Sequence, residues 1–427
     1  MKGPEIPISE SDRKLMRALA SEVAALAEDP GRDQTISDWK RHNRLGQGRP
    51  MILVFPEGSW RELLPETAFP HCEDPWLRKF EEELRRRIYT ARHFSSDNVI
   101  DSEIEVSKVI HSTGWGPEAR WIYSDDPTGS RRFDPIIHRP TDLARLHHPV
   151  ISHDEATSKA NLEFMKELLG DLVPVRSVGI KHVSFHLMNM WTAWRGLEET
   201  FMDMVEAPEF VHEAMEFLTQ GHLGLVRQYE EQSLLGLNND NTYHSTGGNA
   251  WSDEDPLPDF DPARVRPCDI WASAESQELD GVSPEMHAAF AMQYEARLLE
   301  LFRHNGYGCC DGLHHKLGEV MCLPNIRRVS MSPFADVDQA IPRLERKAVF
   351  SWKPHPGCLV GDFDENRIRL GLRHTLELAR DYGTVLEIIL KDTHTCEHQP
   401  ERFDQWTAIC RQEVERIWES PASRAFT

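Results

Sequence analysis

Short apolar, β-branched runs alternate along this chain with helix-length amphipathic segments, and that alternation limits the folds open to it. The runs stand at residues 51–55, 105–111, 183–188, 234–238, 269–272, 306–310, 328–331, 348–352 and 385–390. Helix start signals fall between the later ones. Ser283-Pro284-Glu285 offers an N-cap, a proline at the first helical position and an acid in the first turn, and Gln399-Pro400-Glu401 repeats the arrangement before a helical pattern over 402–416. Strand, helix, strand at a spacing of roughly forty residues or less predicts a parallel sheet with crossover helices. No Gly-x-Gly-x-x-Gly turn follows any run, and about eight βα steps favour a closed (β/α)8 TIM barrel over an open dinucleotide-binding sheet. Residues 1–95 do not share the alternation. They read as an N-terminal helical and loop extension, leaving 96–427 for the barrel.

A chain of 427 residues can bury a large core. Its 48 basic and 70 acidic residues give a net charge of -22, which repels phosphate backbones and anionic lipid, so neither nucleic acid nor membrane is an expected partner. Residues 1–14 are polar and no later run approaches a membrane span, so the expectation is a soluble, cytoplasmic protein. The eight cysteines are scattered. In a reducing compartment they are thiols, available for metal or for burial, and Cys72, Cys322 and Cys410 read as small buried hydrophobes.

Chemistry is densest in Gly306-Tyr307-Gly308-Cys309-Cys310-Asp311-Gly312-Leu313-His314-His315. Successive strand residues point to opposite faces, so only one of Cys309 and Cys310 would face a barrel axis; the bland alternative makes both structural. His314 and His315 fall where the next helix begins and read as capping or surface groups. A second polar stretch, Asn238-Asn239-Asp240-Asn241-Thr242-Tyr243-His244-Ser245-Thr246-Gly247-Gly248, follows an apolar run. It is either a surface turn or a strand-end loop in which Asp240, Tyr243 and His244 bind a polar substrate. In Trp352-Lys353-Pro354-His355-Pro356-Gly357 two prolines fix the backbone around His355, which suits a substrate contact or a plain loop. Lys353 and Lys391 either pair with a substrate carboxylate or stand solvated. Trp271 and Trp352 are the tryptophans expected to wall an apolar cavity for an aromatic or methylammonium group.

One set of motifs carries a resemblance. Trp271-Ala272-Ser273-Ala274-Glu275-Ser276-Gln277-Glu278 leads into Gly281-Val282-Ser283-Pro284-Glu285-Met286, then a helix with Phe290 and Tyr294, then Gly306-Tyr307-Gly308-Cys309-Cys310. Glu387-Ile388-Ile389-Leu390-Lys391-Asp392-Thr393-His394-Thr395, with Pro400 and Trp406 behind it, follows near the C-terminal end. Together these resemble the uroporphyrinogen decarboxylase-like superfamily, which includes corrinoid and coenzyme M methyltransferases. The resemblance runs over 230–415 and, less closely, over 100–230. It implies a TIM barrel.

True uroporphyrinogen decarboxylases carry an arginine-rich Arg-Gln-Ala-Gly-Arg segment, where this chain has Arg49-Pro50-Met51-Ile52-Leu53-Val54-Phe55-Pro56-Glu57. Porphyrinogen decarboxylation is therefore not expected. The methyltransferase branch binds zinc through a His-x-Cys motif and a later cysteine. On that pattern Cys310 takes the thiolate position, Gly308 stands where a histidine is expected, and the last ligand falls near Thr393, beside Asp392 and His394. The resemblance thus implies zinc at Cys310 and His394 with a carboxylate, Glu275 or Asp392, as a third ligand, acting as Lewis acid on a methyl donor or holding a substrate thiolate. The implied reaction moves a methyl group between a small methylated compound and a corrinoid protein. The Asp-x-His-x-x-Gly pattern that would hold cobalamin is absent from the sequence, so cobalamin would arrive on that partner, and a homodimer is the family-level expectation. The alternatives are a metal-independent lyase or decarboxylase using Asp240, His244 and His355 as acid–base groups, and a silent small-molecule-binding barrel.

Overall fold

The computed structural model describes residues 3–4, 8–124, 131–243 and 247–418. Seven parallel strands form the main sheet: β1 (Met51–Val54), β2 (Ser184–Phe185), β3 (Trp271–Ala274), β4 (His304–Tyr307), β5 (Ile326–Met331), β6 (Val349–Trp352) and β7 (Leu386–Leu390). Their spatial order is β1-β7-β6-β5-β4-β3-β2, so the first strand pairs with the last and the rest follow in chain sequence. Every residue of β1, β3, β4 and β7 is buried. That explains why these strands read as apolar or small-residue runs without alternation, as parallel strands covered on both faces do.

The apolar runs locate the strands to within two or three residues, with one exception. Run 234–238 forms no strand among the described residues. It contributes a single parallel bridge, Leu235 to Ile180, and the Asn238 amide then stands in for a neighbouring strand. Its Nδ2 donates to Trp271 O at 2.9 Å and its Oδ1 accepts from Trp271 N at 3.0 Å. A parallel pair, Ile104–Ser107 with Val175–Val178, and two antiparallel pairs complete the described strands. The main ladder ends at β1 on one side and at β2 on the other among the described residues.

Three helices build a second core. In α1 (Glu10–Ala27), capped by Ser9, the buried residues Met16, Leu19, Ala20 and Val23 recur at helical spacing. They pack with α2 (Pro75–His93) and α3 (Glu155–Leu169), whose Leu84 and Met165 join Ile104 and Val106 in the same cluster. Residues 1–95 also supply β1 to the main sheet. On the far side, α4 (Glu365–Tyr382) ends on Gly383 in the left-handed conformation and packs against α5 (Glu401–Trp418). No helix among the described residues is long and apolar enough to cross a membrane.

The floor of the sheet's interior is a buried polar network. Arg328 of β5 donates Nε to Glu387 Oε1 at 2.8 Å, and its second nitrogen reaches Glu387 Oε2, Asn43 Oδ1 and Asn249 O. His42 Nε2 lies 3.2 Å from Glu387 Oε2. Trp271, expected to line a ligand cavity, belongs to this floor: it is the first residue of β3 and its ring lies under the Arg328 guanidinium, 5.2 Å away. Gly247 and Gly248 have φ of 125° and 60°. A Cβ at Gly247 would overlap the Ser351 hydroxyl, and one at Gly248 would collide with Arg328 and Glu387. The polar stretch read as a surface turn or substrate loop therefore runs, at its glycine end, through the interior. Gly248→Val combines overpacking with left-handed strain, and we expect a loss of about 3 kcal/mol or more in urea unfolding. An unchanged midpoint would refute this packing.

Candidate active site

Charged and nucleophilic side chains gather where the parallel strands end. His186 follows β2 directly, Glu275 follows β3, Lys353 follows β6 and Lys391 follows β7, while Cys309 lies two residues past β4. Adjacent parallel strands bring their C-terminal ends together, so these positions share one mouth.

His186 and Glu275 form an ion pair there, with Nδ1 to Oε1 at 2.7 Å. Burial alone would lower the His186 pKa, but the hydrogen bond and charge of Glu275 raise it above the ordinary value. Burial pushes the Glu275 carboxyl upward, yet the bond from His186, its charge, the Cys309 thiol and Lys353 bring it below the usual range. Glu275 Oε2 is buried, and among the described residues it makes no hydrogen bond. Beside it Glu278, held by Asn189 Nδ2 at 2.8 Å, is raised by burial and by the charge of Glu275. A carboxylate bound to an imidazole whose pKa it raises, next to a carboxyl driven toward its neutral form, is suited to holding and moving a proton.

The two thiols depart from the alternation argument. β4 ends at Tyr307 and Gly308 turns the chain at a φ of 83°, so Cys309 and Cys310 do not alternate as strand residues. Their sulfurs lie 3.6 Å apart. Cys309 is the buried member and Cys310 the exposed one, the reverse of what its expected inward position implies. Cys310 is lowered by the Cys309 hydrogen bond and by Lys353, while Cys309 is raised by that same bond and by burial. Lys353, 1% exposed, donates to Cys309 O and lies 3.7 Å from Cys309 Sγ. The pair is therefore disposed to carry one negative charge, with the exposed sulfur ionising first.

The other expected site residues are distributed more widely. Tyr243 reaches the mouth, its ring 6.0 Å from Lys391 Nζ and 4.2 Å from the Phe55 ring. Asp240 pairs instead with Lys181 at 2.7 Å and lines a separate cavity of about 390 Å³ with Glu105 and Arg87. His355 and Trp352 line another, of about 380 Å³, against Trp406 and Ile368. His244 lies outside the described residues. His394 is exposed, stands against Gly58, and its carbonyl accepts from Arg61. Among the described residues no three His, Cys, Asp or Glu side chains are grouped as a metal site. His186 was hidden in sequence within the run 183–188. The signal that finds it is the strand-end rule applied once β2 is known to be two residues long.

Behind β3 and β4 a buried hydrogen-bond chain supports the mouth. Lys316 Nζ lies 3.3 Å from His287 Nδ1, His287 Nε2 lies 2.9 Å from the Tyr307 hydroxyl, and that hydroxyl donates to Glu295 at 2.7 Å. Ser276, next to Glu275, donates to the other Glu295 oxygen at 2.6 Å. Burial raises the Glu295 carboxyl from 4.5 to about 7. A raised carboxyl contributes stability that is full below its ordinary pKa and lost as pH rises through the folded one. The loss here is on the order of 3 kcal/mol between those values. Glu295→Gln should therefore gain on the parent in urea unfolding as pH goes from 5 to 8. A stability difference independent of pH would contradict the assignment.

No family model matches the chain, and no curated protein matches it. Among solved structures, a methyltransferase from Methanosarcina mazei aligns over 66% of this chain and 72% of its own, with 10% identity and a TM-score of 0.39. Similarity that distant establishes neither reaction nor substrate.

Proposed function

We propose that the chain is a methyltransferase built on a TIM barrel of the uroporphyrinogen decarboxylase-like superfamily, with residues 96–427 together with β1 (Met51–Val54) as the barrel and the rest of 1–95 as its extension. It transfers a methyl group between a small methylated compound and a separate corrinoid protein in the cytoplasm. The parallel strand order, with the first strand beside the last and the rest in chain sequence, supports the barrel. The observation that carries the reaction is the thiol pair at the end of β4, facing Glu275 and Lys353.

The thiol pair also bears on zinc. Two Zn–S bonds of about 2.3 Å in a tetrahedral site set their sulfurs about 3.8 Å apart, and the Cys309–Cys310 separation is 3.6 Å. Cys309 and Cys310 would supply two thiolates to such an ion, and Glu275, beside Cys309, would turn in as the third ligand on binding, since among the described residues no three such side chains are already grouped; Cys309 would then take the position expected of His394. Bound there, zinc would supply Lewis-acid activation of the methyl donor or hold a substrate thiolate. His186 would keep Glu275 ionised and oriented, and Lys353 would balance the charge of the thiols.

The test mixes the protein with a reduced corrinoid protein and a panel of methyl ethers, thioethers and methylamines. Growth of methyl-cobalt absorbance, lost in Cys310→Ala, is the expected outcome. Its absence across the panel would favour a lyase or a silent binding barrel.

A further inference from the structure

We infer that the mouth takes a substrate bearing a carboxylate, held by Lys353, Lys391 and the Tyr243 hydroxyl. This deepens the methyltransferase reading and rests on its placing the reaction at the mouth. Lysines beside strand ends are commonly solvated, but these two are 1% and 8% exposed. Among the described residues Lys353 has no carboxylate within ion-pair distance; its ammonium is met only by the Cys309 carbonyl and sulfur. Lys391 Nζ makes no hydrogen bond among the described residues. It has only Glu57 at 3.5 Å and Asp392 at 3.4 Å, each of them more exposed to water than the lysine.

The third donor lies beside Lys391. The Tyr243 hydroxyl is buried without a partner among the described residues, on a ring 6.0 Å from Lys391 Nζ. Cys309 is the common neighbour, electrostatically coupled to both lysines and to Tyr243. Buried donors without acceptors are rare in folded proteins, and those found at a cavity mark where a ligand supplies the acceptor. A thiolate on the cysteine pair would answer one ammonium and leave the other to its two more exposed carboxylates, with the phenol unanswered. Two ammonium groups and a hydroxyl match the two oxygens of a carboxylate. A methylated amine without an acid group would leave the Tyr243 hydroxyl unmet and add a third cation beside the two lysines.

The test is calorimetric titration of the whole protein with methoxyacetate, its neutral isostere 2-methoxyethanol, trimethylammonium and inorganic phosphate. Methoxyacetate should bind saturably and at least tenfold more tightly than 2-methoxyethanol or trimethylammonium. Tyr243→Phe, which removes one oxygen and keeps the packing, and Lys353→Met should each weaken it about tenfold. Equal binding of the neutral isostere, no carboxylate binding, or unchanged affinity in both variants would overturn the inference, and tighter binding of phosphate would overturn the choice of carboxylate. The readout needs neither metal nor corrinoid. Methoxyacetate binding without methyl-cobalt formation would sink the methyltransferase alone, whereas methyl-cobalt formation from an uncharged ether without carboxylate binding would sink this inference alone.

Discussion

Glu387→Ala is expected to destabilise the protein by about 3–5 kcal/mol, because it leaves the Arg328 charge sealed in the floor without its carboxylate. Both side chains are 0% exposed. Arg328 would keep only the neutral oxygens of Asn43 and Asn249 as acceptors. Its remaining nitrogen already lacks a partner among the described residues. Water cannot repair the loss, since Trp271 covers the guanidinium and Gly248 packs on it. Replacing both partners, as in Arg328→Met with Glu387→Leu, should recover part of the loss, because an apolar pair does not strand a charge. Denaturant unfolding at neutral pH measures both. A single variant as stable as the parent would mean that the floor is open to solvent.

Glu275→Gln is expected to lower kcat/KM for methyl transfer to cobalt by about 10²- to 10⁴-fold, the range for removing a positioned acid–base group. Stability should change little, since glutamine keeps the size and still accepts from His186. The same variant carries a second readout that does not depend on turnover. His186 owes its raised pKa to Glu275, which overcomes burial, so its imidazole should titrate at lower pH in Glu275→Gln when followed by NMR. Activity within threefold of the parent, with His186 titrating unchanged, would remove Glu275 from the site.

Much of the sheet was legible because parallel strands buried on both faces leave continuous apolar runs, as 51–55 and 385–390 do. The run 234–238 misled because one asparagine side chain does the work of a ladder there, and amide pairing leaves no apolar pattern. The site was legible in outline. Glu275, Tyr243 and the cysteine pair were singled out, and they gather at the mouth. Alternation failed at Cys309 and Cys310 since the strand stops before them. Trp271 was placed at the wrong end of its strand, because the run was read two residues early. Asp240 and His355 were drawn by local motifs, and only the three-dimensional path separates them into different cavities. Buried lysines leave no mark in sequence, as burial depends on neighbours distant in the chain.

Metal analysis of the intact protein, purified without added metal, tests the thiol pair most directly. The account predicts about one zinc per chain, lost in Cys309→Ser with Cys310→Ser while the unfolding midpoint of the zinc-free protein is kept. Folded protein without zinc, or zinc that survives the double substitution, would contradict it.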